Sequence, residues 1–405
     1  MAKRKKISGA ILIATIAVSL LVGLVGGAAG GVFAANETYV IPDKVTATVY
    51  QGGALDENAV NAIKSDDTTL SVHFLELGNK YTGDCVFINA GEFEILIDAG
   101  SRADSVDDIY EYVKPYVDGQ LEYVVVTHAH QDHYAGFATK NYKDSLFSKF
   151  TDDDETPHEI GTVVTFAKTN QDKTKQDESK AGLYKNFRNN LNTLTGNGTT
   201  VKKVNEYFER GASPIVKIND NVSLEFLDHK FYHEESKTEN NYSVCFQILE
   251  TAGENVYRYL FTGDLEEDGE KDLVKQNADK MGKTRLYKAG HHGSKTSTSQ
   301  ELLDLIDPDA ICVCACAGSP EYTKNKDNQF PTQAFVDRVY TKNAGTQVFV
   351  TSLCVDYDAN KFTSMNGNIV ICSTGNSVTR YFSNNATELR ETEWFKNNRK
   401  LPYTA

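Results

Sequence analysis

Three histidines and an aspartate lie within six residues, at His128, His130, Asp132 and His133. Imidazole and carboxylate groups at this density are ligands for zinc, or for manganese where more oxygen atoms take part. Histidine is scarce in this chain, at 9 of 405 residues, so a chance cluster on the surface is a poor explanation of this spacing. The motif therefore predicts a metal site.

The residues before this motif form a short apolar run, which predicts a buried strand with the motif on the loop at its end. Further strands are predicted to end in Asp98, in Thr262-Gly263-Asp264 and in Gly290-His291-His292-Gly293-Ser294. These strands are predicted at 93–97, 123–126, 257–261 and 284–288. Helices are predicted at 101–117, 181–194, 268–276 and 299–305. Two halves of strands and helices, each with ligand candidates at strand ends, predict a sandwich of sheets with helices outside.

Seven cysteines are too few and too widely spaced for a disulfide framework. Cys312, Cys314 and Cys316 alternate within the apolar run 310–317, which places them on one face of a strand. A zinc site is one interpretation. A buried strand face is favoured, because free cysteine behaves as a small apolar residue.

The composition, with 40% hydrophobic and 24% charged residues, is that of a globular protein. A net charge of −14 argues against a protein that coats nucleic acid non-specifically, because phosphate binding needs a basic field. A basic cluster at 3–6 precedes an apolar stretch at 7–35 that ends in small residues. This pattern predicts an export signal or a retained membrane anchor.

The motif around His128, followed by Thr-Gly-Asp and Gly-His-His-Gly-Ser, resembles the metallo-beta-lactamase fold superfamily over residues 71–375. The last motif, with 75–78 and 83–84, is most similar to the extracellular domain of ComEC-type DNA-uptake proteins and to secreted phosphorylcholine esterases. The resemblance implies an α/β fold, a four-layer αββα sandwich. The implied organisation is a signal peptide or N-terminal membrane anchor at 1–35, a linker and first strand at 36–70, a hydrolase domain at 71–380 with an insertion over the site at 140–215, and a C-terminal tail at 381–405.

The resemblance also implies two divalent metal ions, zinc or manganese. The implied ligands are His128 and His130 for one ion, Asp132 and His133 for the other, Asp264 as the bridge, and His292. His291 is assigned a catalytic role as a phosphate contact or proton donor, although its exchange with His292 remains an alternative. Asp132 is expected to be catalytic as well as a ligand.

Six further residues are expected to support the site or to contact the substrate: Asp84, Asp98, Asn241, Ser243, Ser294 and Lys295. Asp98 would steady the loop that carries His128–His133, called the metal loop below, through hydrogen bonds. Ser294 could instead cap the helix that follows. The chain departs from the family where many members supply one more histidine, because Asn240-Asn241-Tyr242-Ser243 stands there. One metal position is therefore expected to be completed by water, asparagine or substrate.

The resulting functional hypothesis is an exported metallohydrolase that cleaves a phosphodiester with a metal-bound hydroxide. Its substrate would be DNA or a phosphodiester of the cell envelope. The alternatives are a catalytically silent surface-binding or DNA-uptake accessory protein, and a hydrolase of lactams or thioesters. The predicted location is secreted or on the extracellular face of the membrane, with possible anchoring through 7–35, and no protein partner is deduced.

Overall fold

The structure, a computed structural model, describes residues 48–65, 67–152, 157–171 and 178–402. Within these residues the strands are β1 Thr48–Ala54, β2 Leu70–Phe74, β3 Val86–Asn89, β4 Glu94–Ile97, β5 Gln120–Val126, β6 Glu159–Thr165, β7 Thr200–Lys203, β8 Ile215–Lys217, β9 Val222–Phe226, β10 Phe246–Ala252, β11 Asn255–Phe261, β12 Leu286–Lys288, β13 Ala310–Ala317, β14 Gln347–Asp356, β15 Lys361–Ser364, β16 Ile369–Ser373 and β17 Ser377–Phe382. The helices are α1 Glu57–Ile63, α2 Ser105–Val113, α3 Gln131–Tyr134, α4 Leu146–Thr151, α5 Glu178–Gly196, α6 Glu267–Asn277, α7 Gln300–Ile306, α8 Gln333–Lys342 and α9 Glu393–Asn398.

The strands form two sheets. The first has the order β1-β17-β16-β2-β3-β4-β5-β6-β7, and the second has the order β15-β14-β13-β12-β11-β10-β9-β8. Each sheet contains a parallel block, β4 to β7 in the first and β11 to β14 in the second. The carboxyl ends of parallel strands lie at one edge of a sheet, so each block gathers the loops that follow its strands.

Strand β13 shows how the second sheet divides two cores. Ala310, Cys312 and Cys314 lie in the core that also contains residues of the first sheet, such as Val72 and Phe74. The alternate residues of β13 point to a second core with the helices: Ile311, Val313, Ala315 and Ala317. The cysteine run is therefore a buried strand face, as the sequence favoured, because side chains alternate across a strand.

The helices cover the sheets on two sides. Apolar residues of α2, α4 and α5 join the first core, and those of α6, α7 and α8 form the second core with the far face of the second sheet. A sandwich of two sheets with helices on both sides confirms the predicted α/β fold class.

The range 140–215 differs from the predicted insertion. It supplies β6 and β7, which continue the first sheet in parallel from β5. Ile160, Val163 and Val164 of β6 are buried, whereas β7 is an edge strand with mostly exposed side chains. This polar edge explains why composition alone favoured an insertion, since an edge strand has fewer side chains to bury.

The C-terminal residues that the structure describes pack against the domain. Leu389 and Phe395 are buried in the second core, and Arg399 donates hydrogen bonds to the carbonyl groups of Pro331 and Gln329. The predicted tail at 381–405 therefore contributes to the fold over most of its length.

The predicted signal or anchor at 1–35 lies outside the described residues. None of the helices described in the rest of the chain combines the length and apolar character needed to cross a bilayer.

Candidate metal centre

Four buried ligand candidates converge from both sheets: Asp132, His133, Asp264 and His292. Asp132 and His133 lie in α3 after β5, Asp264 follows β11, and His292 lies in the turn after β12. One ligand atom from each of the four lies within 4.8 Å of the others. The parallel strands therefore bring together residues from three predicted motifs.

Asp264 Oδ2 lies at the middle of this group. It is 3.1 Å from His133 Nε2, 3.4 Å from His292 Nε2 and 4.0 Å from His128 Nε2. Both Asp264 oxygens and the Nε2 atoms of His133 and His292 are buried without a hydrogen-bond partner among the described residues. Buried polar atoms left in this way are costly, and a divalent cation would satisfy Asp264 Oδ2 and the two Nε2 atoms together. The donor set of imidazoles and carboxylates therefore fits zinc or manganese.

A second position adjoins the first. His128 Nε2 lies 3.2 Å from His130 Nδ1 and 4.0 Å from Asp264 Oδ2. These three residues would hold a second ion with fewer protein ligands than the first. Such a position leaves room for water or substrate.

Three other histidines of the described chain lie away from this second position. His229 Nε2 donates to Ser243 O at 3.0 Å behind the site, and His233 pairs with Asp228 at the surface. His158 lies against Phe150, with ring centroids 6.3 Å apart. The residues at 240–243 stand where the family histidine was expected.

Asp98 holds the metal loop from below. Its Oδ2 accepts hydrogen bonds from His133 Nδ1 and Thr127 Oγ1, each at 2.7 Å, and its Oδ1 accepts from the Thr127 amide at 2.8 Å. The bond from His133 Nδ1 turns Nε2 of the same ring toward Asp264. Asp98 adopts φ +59, a left-handed conformation that aspartate tolerates better than most residues.

Lys288 is a central residue that the sequence analysis did not select. This side chain is buried at the end of β12, where it forms an ion pair with Asp84 Oδ2 and lies 3.5 Å from Asp264 Oδ1. Asp84 Oδ1 in turn lies 3.1 Å from His292 Nδ1. The signal in the sequence is a lysine that ends a short strand two residues before the first glycine of the Gly-His-His-Gly motif. Lys288 thus lies beside Oδ1 of Asp264, and the other oxygen, Oδ2, faces the histidines.

The clustered charges shift the acid–base properties of the ligands. Burial alone would lower the pKa of His133, but Asp264, Asp98 and Asp84 outweigh this effect and raise it well above the usual value. The pKa of His292 is likewise raised, against burial, by Asp264 and Asp84. Burial favours a neutral Asp264, but His133 and His292 lower its pKa well below the usual range. A metal ion bound at these nitrogens would displace protons from the histidines.

The Gly-His-His-Gly motif forms a strained turn at Gly290–Gly293. His291 and His292 have φ values of +46 and +54, each of which costs a non-glycine residue about 1–2 kcal/mol. The turn sends the two rings in different directions. His292 is buried among the carboxylates, whereas the side chain of His291 is 20% exposed, with Nε2 3.8 Å from Asp264 Oδ2. Burial lowers the pKa of His291 from its usual value.

The other predicted residues lie around the centre. Ser243 Oγ accepts from the Asp264 amide at 3.0 Å, and Asn241 Oδ1 accepts from the Glu266 amide at 3.2 Å. Ser294 Oγ accepts from the Thr296 amide, and Ser299, not Ser294, caps the following helix.

Lys295 is exposed, on the wall of a surface groove. Of the six predicted supporting residues, Asp84, Asp98 and Ser243 contact the ligand candidates directly.

Residues 78–139 match the model of the metallo-beta-lactamase superfamily, which covers the first motif. Recombination protein 2 of Haemophilus influenzae is 29% identical over 32% of this chain and 18% of its own length. ComE operon protein 3 of Bacillus subtilis is 35% identical over 19% of this chain and 9% of its own length. The chain thus spans less than a fifth of the length of these relatives.

Solved structures similar to this one include the metallo-beta-lactamase fold protein YhfI from Bacillus subtilis, with 12% identity, a TM-score of 0.37, and coverage of 69% of this chain and 95% of that chain. A long form of RNase Z from yeast gives 11% identity and a TM-score of 0.38, with coverage of 77% of this chain and 43% of that chain. The sequence matches confirm the predicted resemblance to the metallo-beta-lactamase superfamily and to ComEC-type competence proteins.

Proposed function

We propose that this protein is a metal-dependent phosphodiesterase. The observation that carries the proposal is the convergence of Asp132, His133, Asp264 and His292, next to the pair His128 and His130. Neighbouring divalent ions in such a site supply Lewis acidity, which activates water and neutralises the oxygens of an in-line phosphoryl displacement.

The residues of the chain act mainly by position. Asp264 would hold the ions through Oδ2, which lies 3.4 Å from His292 Nε2, while Lys288 lies 3.5 Å from the other oxygen, Oδ1. The side chain of His291 is partly exposed, so its ring can donate a hydrogen bond to a phosphate oxygen or to the leaving group. Its Nδ1 lies 3.3 Å from Thr296 Oγ1, which helps to fix the direction of the ring.

The surroundings support an anionic substrate with an organic group attached. A groove of about 660 Å³ is lined by basic and aromatic side chains that include Lys168, Arg188 and Tyr184. Phe187, which also lines the groove, packs against Tyr134, the neighbour of His133, with ring centroids 5.2 Å apart. Two acidic residues also line the groove, so its charge is mixed.

The substrate we propose is a phosphodiester of DNA or of the cell envelope. Similarity to a protein named for recombination supports DNA. The net charge of −14 and the mixed groove support a smaller diester. A direct comparison of the two substrate types decides between them.

The test is hydrolysis by the purified full chain, loaded with zinc or manganese, of bis(p-nitrophenyl) phosphate, p-nitrophenylphosphocholine, nitrocefin and single-stranded DNA. We expect diester cleavage that falls to the background rate in His130→Ala and Asp264→Ala. His233→Ala is the matched control, because His233 is exposed and pairs with Asp228 away from the centre. Unchanged rates in either site variant, or no turnover by metal-loaded protein, would overturn the proposal.

We also propose that the protein is exported. The basic cluster at 3–6 and the apolar stretch at 7–35 support this proposal. N-terminal sequencing of the protein from membrane and culture fractions would show cleavage near residue 35 or a retained anchor. Recovery of intact protein only from the cytoplasm would refute export.

A further inference from the structure

The loop at 318–332 brings a tyrosine to the metal centre. Tyr322 Oη donates a hydrogen bond to Asp132 Oδ2 at 2.6 Å. The same Asp132 oxygen lies 3.4 Å from His292 Nε2, inside the group of ligand candidates. Tyr322 therefore contacts an oxygen that faces the metal position, although the residue is 53% exposed.

The base of this loop is fixed by several backbone hydrogen bonds. Gly318 N donates to Phe330 O at 2.8 Å, which closes the loop. Thr332 N donates to Gly293 O at 2.8 Å, which ties the loop to the turn that carries His292. The loop thus holds its place relative to one of the four ligand candidates.

The loop is also fixed next to Tyr322. Glu321 accepts hydrogen bonds from the Thr82 amide at 3.0 Å and from Arg102 at 3.3 Å, and Arg102 stacks on Tyr81. The ring of Tyr322 packs on Phe330 with centroids 5.5 Å apart. Phe330 in turn packs on His291 and His292, each at 5.6 Å. The hydrogen bonds of Glu321 and the packing of the Tyr322 ring on Phe330 together direct the phenol toward Asp132.

We propose that Tyr322 is a positioning residue that holds the Asp132 carboxylate in the orientation needed to bind metal. This inference rests on the proposed function, since it concerns the same centre. A carboxylate has several rotamers, and a hydrogen bond from a fixed donor selects one of them. Partners of this kind change metal affinity by about 10–100-fold when removed.

The test is Tyr322→Phe in the full chain, which removes one hydroxyl and keeps the ring on Phe330. Metal affinity is measured by competition with a chromogenic chelator, and the geometry of the site by the visible absorption of the cobalt-loaded protein. We expect affinity for one of the two ions to fall by about 10–100-fold, with a changed cobalt spectrum. Tyr357→Phe is the matched control, because Tyr357 packs on Tyr81 and Lys80 at the same rim, and it should leave both readouts unchanged.

The outcomes separate this inference from the proposed function. Wild-type protein that binds no divalent metal would overturn both. Wild-type protein that binds metal, with the same affinity and spectrum in Tyr322→Phe, would overturn the role of Tyr322 alone. Equal losses in Tyr322→Phe and Tyr357→Phe would also overturn it, because the effect would then belong to the whole rim.

Discussion

Asp98→Asn should weaken both the fold and the metal centre. Asparagine has the same shape and tolerates the φ of +59, so the substitution changes charge and hydrogen bonding with little strain. Asp98 Oδ2 accepts from His133 Nδ1 and Thr127 Oγ1, and an amide nitrogen at that place faces the His133 N–H with another donor. Hydrogen bonds to charged groups contribute about 1.5–3 kcal/mol each, and the Thr127 hydroxyl can turn to accept instead. We therefore expect the free energy of unfolding to fall by about 2–4 kcal/mol.

The same change frees the His133 ring to rotate or to change tautomer, so metal affinity should fall by about 10–100-fold. The assays are urea denaturation of the metal-free full chain and chelator competition with the metal-loaded chain. Asp220→Asn is the matched control, since Asp220 pairs with Lys217 at the surface, and neither quantity should change. Wild-type stability and affinity in Asp98→Asn would refute the assigned role of Asp98.

Three further predictions concern Lys288, His73 and the bound metal. Lys288→Met should lower the free energy of unfolding by about 3–5 kcal/mol, because it leaves Asp84 without its partner; an unchanged urea midpoint would contradict this. Burial lowers the pKa of His73 to about 3. As the pH falls below 6.5, the unfolded chain therefore takes up a proton at His73 before the folded chain does. Between pH 6.5 and 5 the free energy of unfolding should fall by about 2 kcal/mol more in the wild type than in His73→Leu. Equal slopes of this free energy against pH would refute the prediction. Removal of metal with a chelator should abolish hydrolysis and lower the melting temperature, with both restored by zinc or manganese, and wild-type activity after dialysis against the chelator would contradict the metal assignment.

The sequence was most informative where the pattern is local. The motif His128–His133 and the strand before it lie in one short stretch, so spacing alone predicts a loop of ligands at a strand end. The run 310–317 is apolar at every position, and the structure has β13 over the same residues. His73 is a buried core residue, bonded to Tyr112 and Ser71 as expected for a histidine inside a strand.

Long-range contacts were beyond such patterns. The burial of Lys288 depends on Asp84 and Asp264, which are distant in the sequence, and a lysine at a strand end is ordinarily exposed. The contact between Tyr322 and Asp132 joins a polar loop to a motif nearly 200 residues earlier in the chain. The polar residues of β7 suggested an insertion, because an edge strand differs little in composition from a loop.

The ligand candidates come from both sheets, and this has a consequence for synthesis of the protein on the ribosome. The residues of the first motif, His128 to His133, emerge early, whereas Asp264 follows after roughly 130 further residues and His292 after roughly 160. At a synthesis rate of about 5–20 residues per second, the first motif is made several seconds or more before Asp264 and His292. During that interval the nascent chain offers only Asp132 and His133 of the four ligand candidates that converge at the first metal position. Capture of the correct metal ion is therefore a late event, coupled to docking of the second sheet on the first.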